Sequence, residues 1–513
     1  MGLLTGLSEG AKRMIKGWLD IREASETTIS IEERLNFETN AIKNRIWMRG
    51  DPIELDQLYK QIGNSDNSFW GSIPSEGNGL RKVHTGLPST IVETLTYLVL
   101  HDMNDIEVND EWKNIETENK FKKLVAKAIN ECLYLGDGAF KISFDKKISE
   151  LPIIEFYSGN DVEYVYNRGR YVETIFKTMY YYDKKKYMLK EKYGFGYIRY
   201  ELYRIDGAIE EPVDLEAIPE TQNLVDIKFA GCELNEDGTI AKLGSFNMAI
   251  PMKFYDSPKW PNRGKSIFDA KCSNFDALDE TFSQWMDAIR AGRPVSYIPE
   301  SLLPRNPKNG SILKPNSFDV RYIKTEDNLT ENANNKIEVV QNAIPSESYV
   351  QSYITALDLC LQGIISPSTL GIDTKKLENA EAQREKEKTT LYTRNVIIEE
   401  LQEVLPVVVN AALHSLATFN EQTPGKDVEI ELNFGEYANP SFEAVVETVG
   451  KAKQQGIMSI EACVDELYGD SKEDDWKQEE VKRLKAEQGV AELDEPLMVN
   501  ATIPTIEDNV NLN

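Results

Sequence analysis

The chain has 513 residues, with 58 Lys and Arg against 85 Asp and Glu and a formal net charge of −27. That length provides for two to four domains with substantial cores, and the charge excludes a protein that wraps DNA tightly through phosphate contacts. Five scattered cysteines (Cys132, Cys232, Cys272, Cys360, Cys463) without CxxC spacing, and three isolated histidines (His84, His101, His414), write neither a disulfide framework nor a metal site.

The cysteine usage points to folding in a reducing, intracellular place. Acidity keeps an abundant protein soluble, and it also suits a surface past which DNA slides without sticking. The longest apolar runs fall well short of the roughly 20 residues that a membrane span needs.

At the amino terminus, Gly6 stands where a myristoylation signal wants Ser or Thr. Leu7, Ala11, Met14, Ile15, Trp18 and Leu19 follow as one face of an amphipathic helix, without the apolar core of a secretion signal. This helix is expected to dock onto the body or a neighbouring subunit. Ile31–Trp47 reads as helical, and the Gly50-Asp51-Pro52 turn opens another helix through Leu55, Leu58 and Tyr59. Pro88–Leu100 is a more apolar helix, and Trp112–Leu135 a longer one.

From Gly136 the texture changes. Ala139–Phe144, Ile153–Tyr157 and Val162–Tyr166 alternate as strands do, and Tyr171–Val213 is rich in Tyr, Ile and Phe. Asp206-Gly207 and Asp237-Gly238 mark hairpin turns of an antiparallel meander. A helical part and a β part interleave, so the fold class is α+β. Lys184-Lys185-Lys186 among Tyr180, Tyr181, Tyr182 and Tyr187 has the makings of a single-strand contact; a solvated hairpin tip explains it better.

Ser266–Arg290 reads as one long amphipathic helix. Phe268, Phe275, Leu278, Phe282, Trp285 and Ile289 form one stripe, expected to pack against sister subunits. Asp269, Asp276, Asp279, Glu280 and Asp287 occupy the other faces. Ser266 with Asp269 makes a capping-box-like start, and Arg290, Gly292 and Pro294 supply stop signals. Gly264-Lys265-Ser266 imitates the end of a phosphate-binding loop, yet that loop needs a Gly where Lys259 stands, and Pro258 and Pro261 stiffen the approach. An enzyme binding nucleotide through Lys265 and Ser266 is therefore the weaker alternative. Asp237-Gly238 lacks the bidentate Glu of a calcium loop. No spacing selects a catalytic set, so neither an enzyme nor a cofactor is expected.

Val295–Ile298 and Val320–Ile323 look like short strands, and Ser346–Ile365 is a second amphipathic helix. The loop Ser366–Glu378 holds Asp373, Thr374, Lys375 and Lys376. A very long helix follows, from about Asn379 to Phe419, with Pro406 expected to kink it. Val428–Phe434 alternates like an edge strand. Phe442–Gly456, Ser459–Leu467 and Asp475–Gln488 are helical. The stretch from Ala491 has several acids and no base, and is expected to be disordered.

This order of elements resembles that of a tailed-bacteriophage portal protein of siphophages of Gram-positive hosts. The resemblance covers nearly the whole chain. It is carried by Trp47 with Gly50-Asp51, by Leu135-Gly136-Asp137-Gly138-Ala139, and by Gly264-Lys265-Ser266-Ile267-Phe268 with Leu278-Asp279-Glu280. Arg293-Pro294, the Gly371–Gln383 segment and Gly456-Ile457-Met458-Ser459 continue it. One departure is Asn379-Ala380-Glu381-Ala382, where related chains often carry a Thr-Ala-Thr-Glu-like run.

The resemblance implies a dodecameric ring at one capsid vertex, a channel through which double-stranded DNA is packaged and ejected. Residues 1–260 would form the wing, 261–292 and 346–365 the two stem helices, 293–345 the clip and 366–378 the tunnel loop. Residues 379–440 would add a long kinked helix and a wing strand, and 441–490 a helical crown, ahead of an acidic tail at 491–513. Asp269, Asp276, Asp279, Glu280 and Asp287 become candidates for the stem lumen, and Asp373, Thr374, Lys375 and Lys376 for the loop that touches DNA. The implied partners are copies of itself, weakly and non-specifically bound DNA, the terminase large subunit, a head–tail connector or adaptor, and the major capsid and scaffolding proteins. The implied place is the virion, and the host cytoplasm during assembly. Another oligomeric virion connector shares most of these features.

Overall fold

The computed structural model describes residues 35–62, 68–73, 80–101, 103–235, 240–312, 321–326, 336–341, 343–372, 380–435, 442–468 and 474–487. The expected amphipathic helix at Leu7–Leu19, the Asp237-Gly238 turn, the loop residues Asp373–Lys376 and the acidic tail lie outside them. The chain divides into two compact units, Met1–Phe434 and Gly435–Asn513. The class is mixed α+β.

Among the described residues, the first unit begins with α1 (Phe37–Arg49), α2 (Pro52–Gln61), α3 (Leu87–His101), α4 (Asp110–Asn119) and α5 (Phe121–Leu135). Their ends follow elementary capping chemistry. Asn36 accepts the Thr39 amide at the start of α1, and Gly50 closes that helix at φ +67°. Asp51 caps α2, with Pro52 in its first turn. The single helix expected over Trp112–Leu135 is two helices, because Lys120 takes a left-handed conformation at φ +50°. Asn119 fixes the break: its amide nitrogen donates to the carbonyls of Ile115 and Pro152, and its side-chain oxygen accepts the Ile154 amide.

Among the described residues, three sheets and one short hairpin follow or interrupt the helices. β1 (Asp137–Ser143) lies between β2 (Ile153–Ser158) and β11 (Ala249–Lys253), antiparallel to both. A meander joins β3 (Val162–Asn167), β4 (Arg170–Tyr182), β5 (Lys185–Gly194), β6 (Tyr197–Asp206) and β7 (Ile209–Val213) in sequence order, with β8 (Ile227–Lys228) also on β6. Gly207, at φ +61°, makes the β6–β7 turn that Asp206-Gly207 announces. The Lys184–Lys186 run is the tip of the β4–β5 hairpin, with Asp183 and Lys184 at positive φ and the lysines exposed. β9 (Glu233–Leu234) and β10 (Ile240–Lys242) pair across the segment holding Asp237-Gly238.

One continuous core joins α1–α5, the β1 sheet and the later helices of the first unit, with Trp47, Trp70, Trp112, Phe121, Phe140 and Phe176 wholly buried. β11 is an edge strand, and its outward amides are already answered. Asn247 accepts from Ala249, Pro251 has no N–H, and Glu400 accepts from Lys253.

α6 (Cys272–Ala291) and α7 (Ser346–Leu361) flank a small sheet of β12 (Val295–Pro299), β13 (Arg321–Thr325) and β14 (Glu338–Val340). β12 runs parallel to β13 and antiparallel to β14. α8 (Ala380–Phe419) continues through Pro406 for 40 residues and packs on β11.

The strand expected at Val428–Phe434 is extended chain without a ladder. Side chains of α8 answer it instead: Asn410 accepts the Val428 amide and donates to the Val428 carbonyl, and Gln402 donates to Leu432. Only Phe434 makes a bridge, to Met103.

The second unit holds α9 (Phe442–Gln454), α10 (Ile460–Tyr468) and α11 (Asp474–Glu487). Ser459 caps α10 by accepting the Ala462 amide. Tyr468 and Trp476 meet edge to face at 4.9 Å, and Lys477 pairs with Asp465 at 3.0 Å. Among the described residues, no helix is long and apolar enough to cross a membrane.

Candidate functional site at the helical hairpin

α6 and α7 form an antiparallel pair. Lys271 and Asn274, at the start of α6, donate to carbonyls at the end of α7: Lys271 Nζ to Leu359 and Gln362, both at 2.8 Å, and Asn274 Nδ2 to Leu359 at 3.0 Å. At the other end Gly292 lies against Ile344, so closely that a Cβ there would stand 2.4 Å from the Ile344 side chain. Between these ends, Tyr353 meets Phe282 and Trp285 with ring centroids 6.0 and 6.2 Å apart. The small sheet sits where the chain passes from α6 to α7.

The helix begins six residues later than its capping-box-like sequence suggests. Ser266 does pair reciprocally with Asp269, its amide donating to Asp269 Oδ2 at 3.0 Å, but the residues between them form turns. Asp269 also accepts from Asn40 and Asn44 of α1 at 2.7 and 3.0 Å, so its carboxylate ties the approach of α6 to the first helix.

Two more of the expected channel carboxylates are buried within the chain. Asp276 accepts the amides of Phe69 and Trp70 at 2.7 and 3.1 Å. Asp279, wholly inaccessible, accepts from Trp70 Nε1, the Thr85 amide and the Thr85 hydroxyl, and lies 2.7 Å from His84 Nδ1. Ser283, one turn on, accepts the Val83 amide at 2.9 Å. Asp276, Asp279 and Ser283 therefore form a polar stripe that straps residues 68–73 and 80–86 onto α6, and neither aspartate lies on an open helix face. Burial pushes the Asp276 carboxyl up, and the two amides it accepts pull against that shift. Glu280 and Asp287 remain half-accessible, Glu280 accepting from Gln284 at 2.8 Å.

The apolar stripe divides likewise. Phe268, Phe275 and Leu278 belong to the core of this chain. Phe282 and Trp285 are half-buried against α7, and only Ile289, 41% exposed, is left outward.

Gly264-Lys265-Ser266 crosses over Gly136. A Cβ on Gly264 would stand 2.1 Å from the Gly136 carbonyl oxygen. Every amide of this run is used inside the fold: Gly264 donates to Asp137, Lys265 to Tyr255, Ser266 to Asp269 and Ile267 to Leu133. Ser266 Oγ donates to the Tyr134 carbonyl and accepts the Phe268 amide. No amide nest is left for a phosphate. Arg263 and Asp137 pair side-on beside it at 2.8 and 2.9 Å, fixing the crossing.

The root of the loop after α7 is anchored. Ser366 donates its amide to Thr390 Oγ1 at 2.9 Å, and Thr393 Oγ1 donates to the Ile364 carbonyl at 2.6 Å, both from α8. Leu370 and Ile372 donate back to the Pro367 carbonyl at 3.1 Å, around Gly371 at φ +68°. Residues 366–372 thus form a closed turn. Among the described residues, no three His, Cys, Asp or Glu side chains gather as a metal site.

No family model matches this sequence, and no curated protein matches it. Solved structures that this chain matches include a chain from the virion of a native gene transfer agent (GTA) particle. It is 12% identical, covers 85% of this chain and 93% of that one, and has a TM-score of 0.37. A chain from the neck of a native GTA particle, computed with C12 symmetry, is also 12% identical; it covers 84% of this chain and 98% of that one, at a TM-score of 0.37.

Proposed function

We propose that this chain is a portal subunit of a tailed-phage-like particle: one member of a dodecameric ring at a capsid vertex, through which DNA enters and leaves. The observation that carries the reading is the antiparallel α6–α7 hairpin. It has a small mixed sheet at its far end and a loop, rooted on a 40-residue helix, directly after it. That is the stem, clip, tunnel loop and long helix of the portal order, in sequence.

The hairpin supplies a side for neighbouring copies. Ile289 on α6 and Val350 on α7 are 41% and 40% exposed, on a pair whose inner faces are already packed. The channel side carries Glu280 and Asp287, half-accessible, with Glu347 and Asp358 of α7 exposed. Repulsion between such carboxylates and phosphates lowers the barrier to sliding, while Lys375 and Lys376 of the following loop supply transient grip. The ring itself hydrolyses no nucleotide in this reading; a terminase does, docking with the connector at the small sheet. Capsid and scaffolding proteins hold the ring in its vertex.

Negative-stain microscopy of the purified protein, alone and after co-expression with the capsid and scaffolding proteins, tests this. Rings of uniform diameter are expected on assembly. A monomer under both conditions overturns the reading.

A further inference from the structure

A cavity of about 170 Å³ lies where the chain leaves α7 for the turn at residues 366–372. Its inner wall is buried at Ser266, Ile364 and Thr393, and it opens past the exposed Gln362 and Gly363. Two lysines, Lys265 and Lys271, line it, and no carboxylate does. The acids nearby in sequence are turned elsewhere or lie outside it. Asp269 faces Asn40, Asn44 and the Ser266 amide, Asp256 pairs with Lys253, and Asp358 stands exposed on α7. The Lys271 ammonium directs two donors to the carbonyls of Leu359 and Gln362, both at 2.8 Å, and keeps a third. The Lys265 ammonium has no ion-pair or hydrogen-bond partner among the described residues, and its flexible four-carbon stem gives it reach. Burial pulls the Lys271 ammonium below the ordinary lysine range, with the Cys360 thiol opposing; an anion beside it would reverse that shift.

We infer that this cavity is an oxyanion site, holding one phosphate group on the ammonium groups of Lys265 and Lys271. The chemistry is not that of a phosphate-binding loop, because the amides of Gly264, Lys265, Ser266 and Ile267 are all used inside the fold. A polar cavity of this size takes either a few waters or a tetrahedral oxyanion, and waters leave both positive charges unbalanced. Lys265 belongs to the crossing over Gly136, and Lys271 holds the end of α7. An anion shared by the two therefore ties the end of α7 to the crossing beside β1 and stiffens the passage into the following loop. Inorganic phosphate and the phosphates of a DNA backbone offer the same chemistry. The site lies within one subunit and does not depend on the ring reading.

Titration of inorganic phosphate into the purified full chain at low salt, followed by calorimetry, tests the site. Saturable binding is expected, and Lys265→Met and Lys271→Met should each weaken it about tenfold or more, the worth of a hydrogen bond to a charged group. Lys184→Met, on the exposed β4–β5 tip, removes the same charge far from the cavity in sequence and should leave binding unchanged. Lys265→Met removes no side-chain partner in the fold, so its thermal melt should match the parent even where Lys271→Met loosens the end of α7. A short DNA duplex that displaces phosphate from the parent identifies backbone phosphate as the natural occupant; phosphate binding that the duplex leaves untouched identifies a free oxyanion. Either result supports the site. No saturable binding, binding that Lys265→Met leaves unchanged, or an equal loss in Lys184→Met overturns it, and none of these bears on whether rings form.

Discussion

The imidazole Nδ1 of His84 lies 2.7 Å from Oδ2 of Asp279, and both side chains are buried between the segment ahead of α3 and the middle of α6. Asp279 receives three further hydrogen bonds there, from Trp70 and from the amide and hydroxyl of Thr85. A carboxylate so surrounded is a fastener for the strap at residues 68–86. Asp279→Ala leaves four donors without their acceptor and is expected to cost about 2–4 kcal/mol, since each hydrogen bond to a charged group is worth about 1.5–3 kcal/mol and the site relaxes in part. Asp287→Ala, on an accessible part of the same helix, should change stability by no more than about 0.5 kcal/mol. Denaturant melts of the two variants check the contrast; equal effects would remove Asp279 from the fastening role.

Those carboxylates also show what the sequence made legible and what it did not. The α+β class, the helix–sheet–helix order and the apolar stripe through Phe275 and Leu278 follow from local periodicity. The direction of the acidic side chains does not. Asp276, Asp279 and Ser283 have helical spacing of their own, a signal of a second buried stripe that was available. Their donors, however, are amides and an indole some 200 residues earlier in the chain, at separations of 194 to 209. Backbone amides carry no residue type to read. The break at Lys120 was hidden for the same reason, since Asn119 secures it through carbonyls. The extended Val428–Phe434 segment alternates as a strand does, yet its partners are the side chains of Asn410 and Gln402.

Lys141 on β1 and Glu191 on β5 pair at 2.6 Å in the interior, with the ammonium 5.1, 5.5 and 5.6 Å from the ring centroids of Tyr157, Phe176 and Tyr193. Removing one partner strands the other charge. Lys141→Met alone should cost about 3–5 kcal/mol, and adding Glu191→Leu should recover most of that loss. A double-mutant cycle in urea measures the coupling, and additive losses would show that the two charges act independently.

Glu131 offers a pH test. Burial pushes its carboxyl above the usual range, Lys127 and Arg45 oppose that shift, and Oε2 has no hydrogen-bond partner. A folded-state pKa raised above the unfolded one means that the folded chain holds the proton more tightly. The stabilising contribution of Glu131 is therefore present in acid and lost as pH rises through the raised value. Glu131→Gln should be more stable than the parent by about 1 kcal/mol at pH 7, the penalty of an unsatisfied buried group. The gap should close as pH falls toward the ordinary carboxyl range. A gap that stays constant with pH would mean the gain comes from packing.

Gly264 separates a steric requirement from glycine's general freedom. Its missing Cβ lets two backbones cross, with the Gly136 oxygen 2.1 Å from where that Cβ would be, whereas a Cβ on Gly425 meets nothing within 4 Å. Gly264→Ala should lose about 3 kcal/mol or fail to fold. Gly425→Ala should stay within about 0.5 kcal/mol of the parent by thermal melt. A well-folded Gly264→Ala protein would show that the crossing can widen.

Ring assembly is best probed away from the aromatic contacts of the hairpin. Trp285 packs with Tyr353 in its own chain, so Trp285→Asp would disturb the subunit together with any ring. Ile289 and Val350 reach solvent at the same end of the helix pair, the end next to the small sheet, and charging them costs the isolated subunit little. Ile289→Asp and Val350→Asp are each expected to leave the melting temperature of the monomer unchanged and to reduce ring yield in micrographs, because assembly would bury an unpaired carboxylate. Lys375→Ala with Lys376→Ala should do the reverse, leaving rings intact while DNA packaging falls. Normal ring yield from both aspartate variants would place the copy-to-copy contact on another face of α6 and α7.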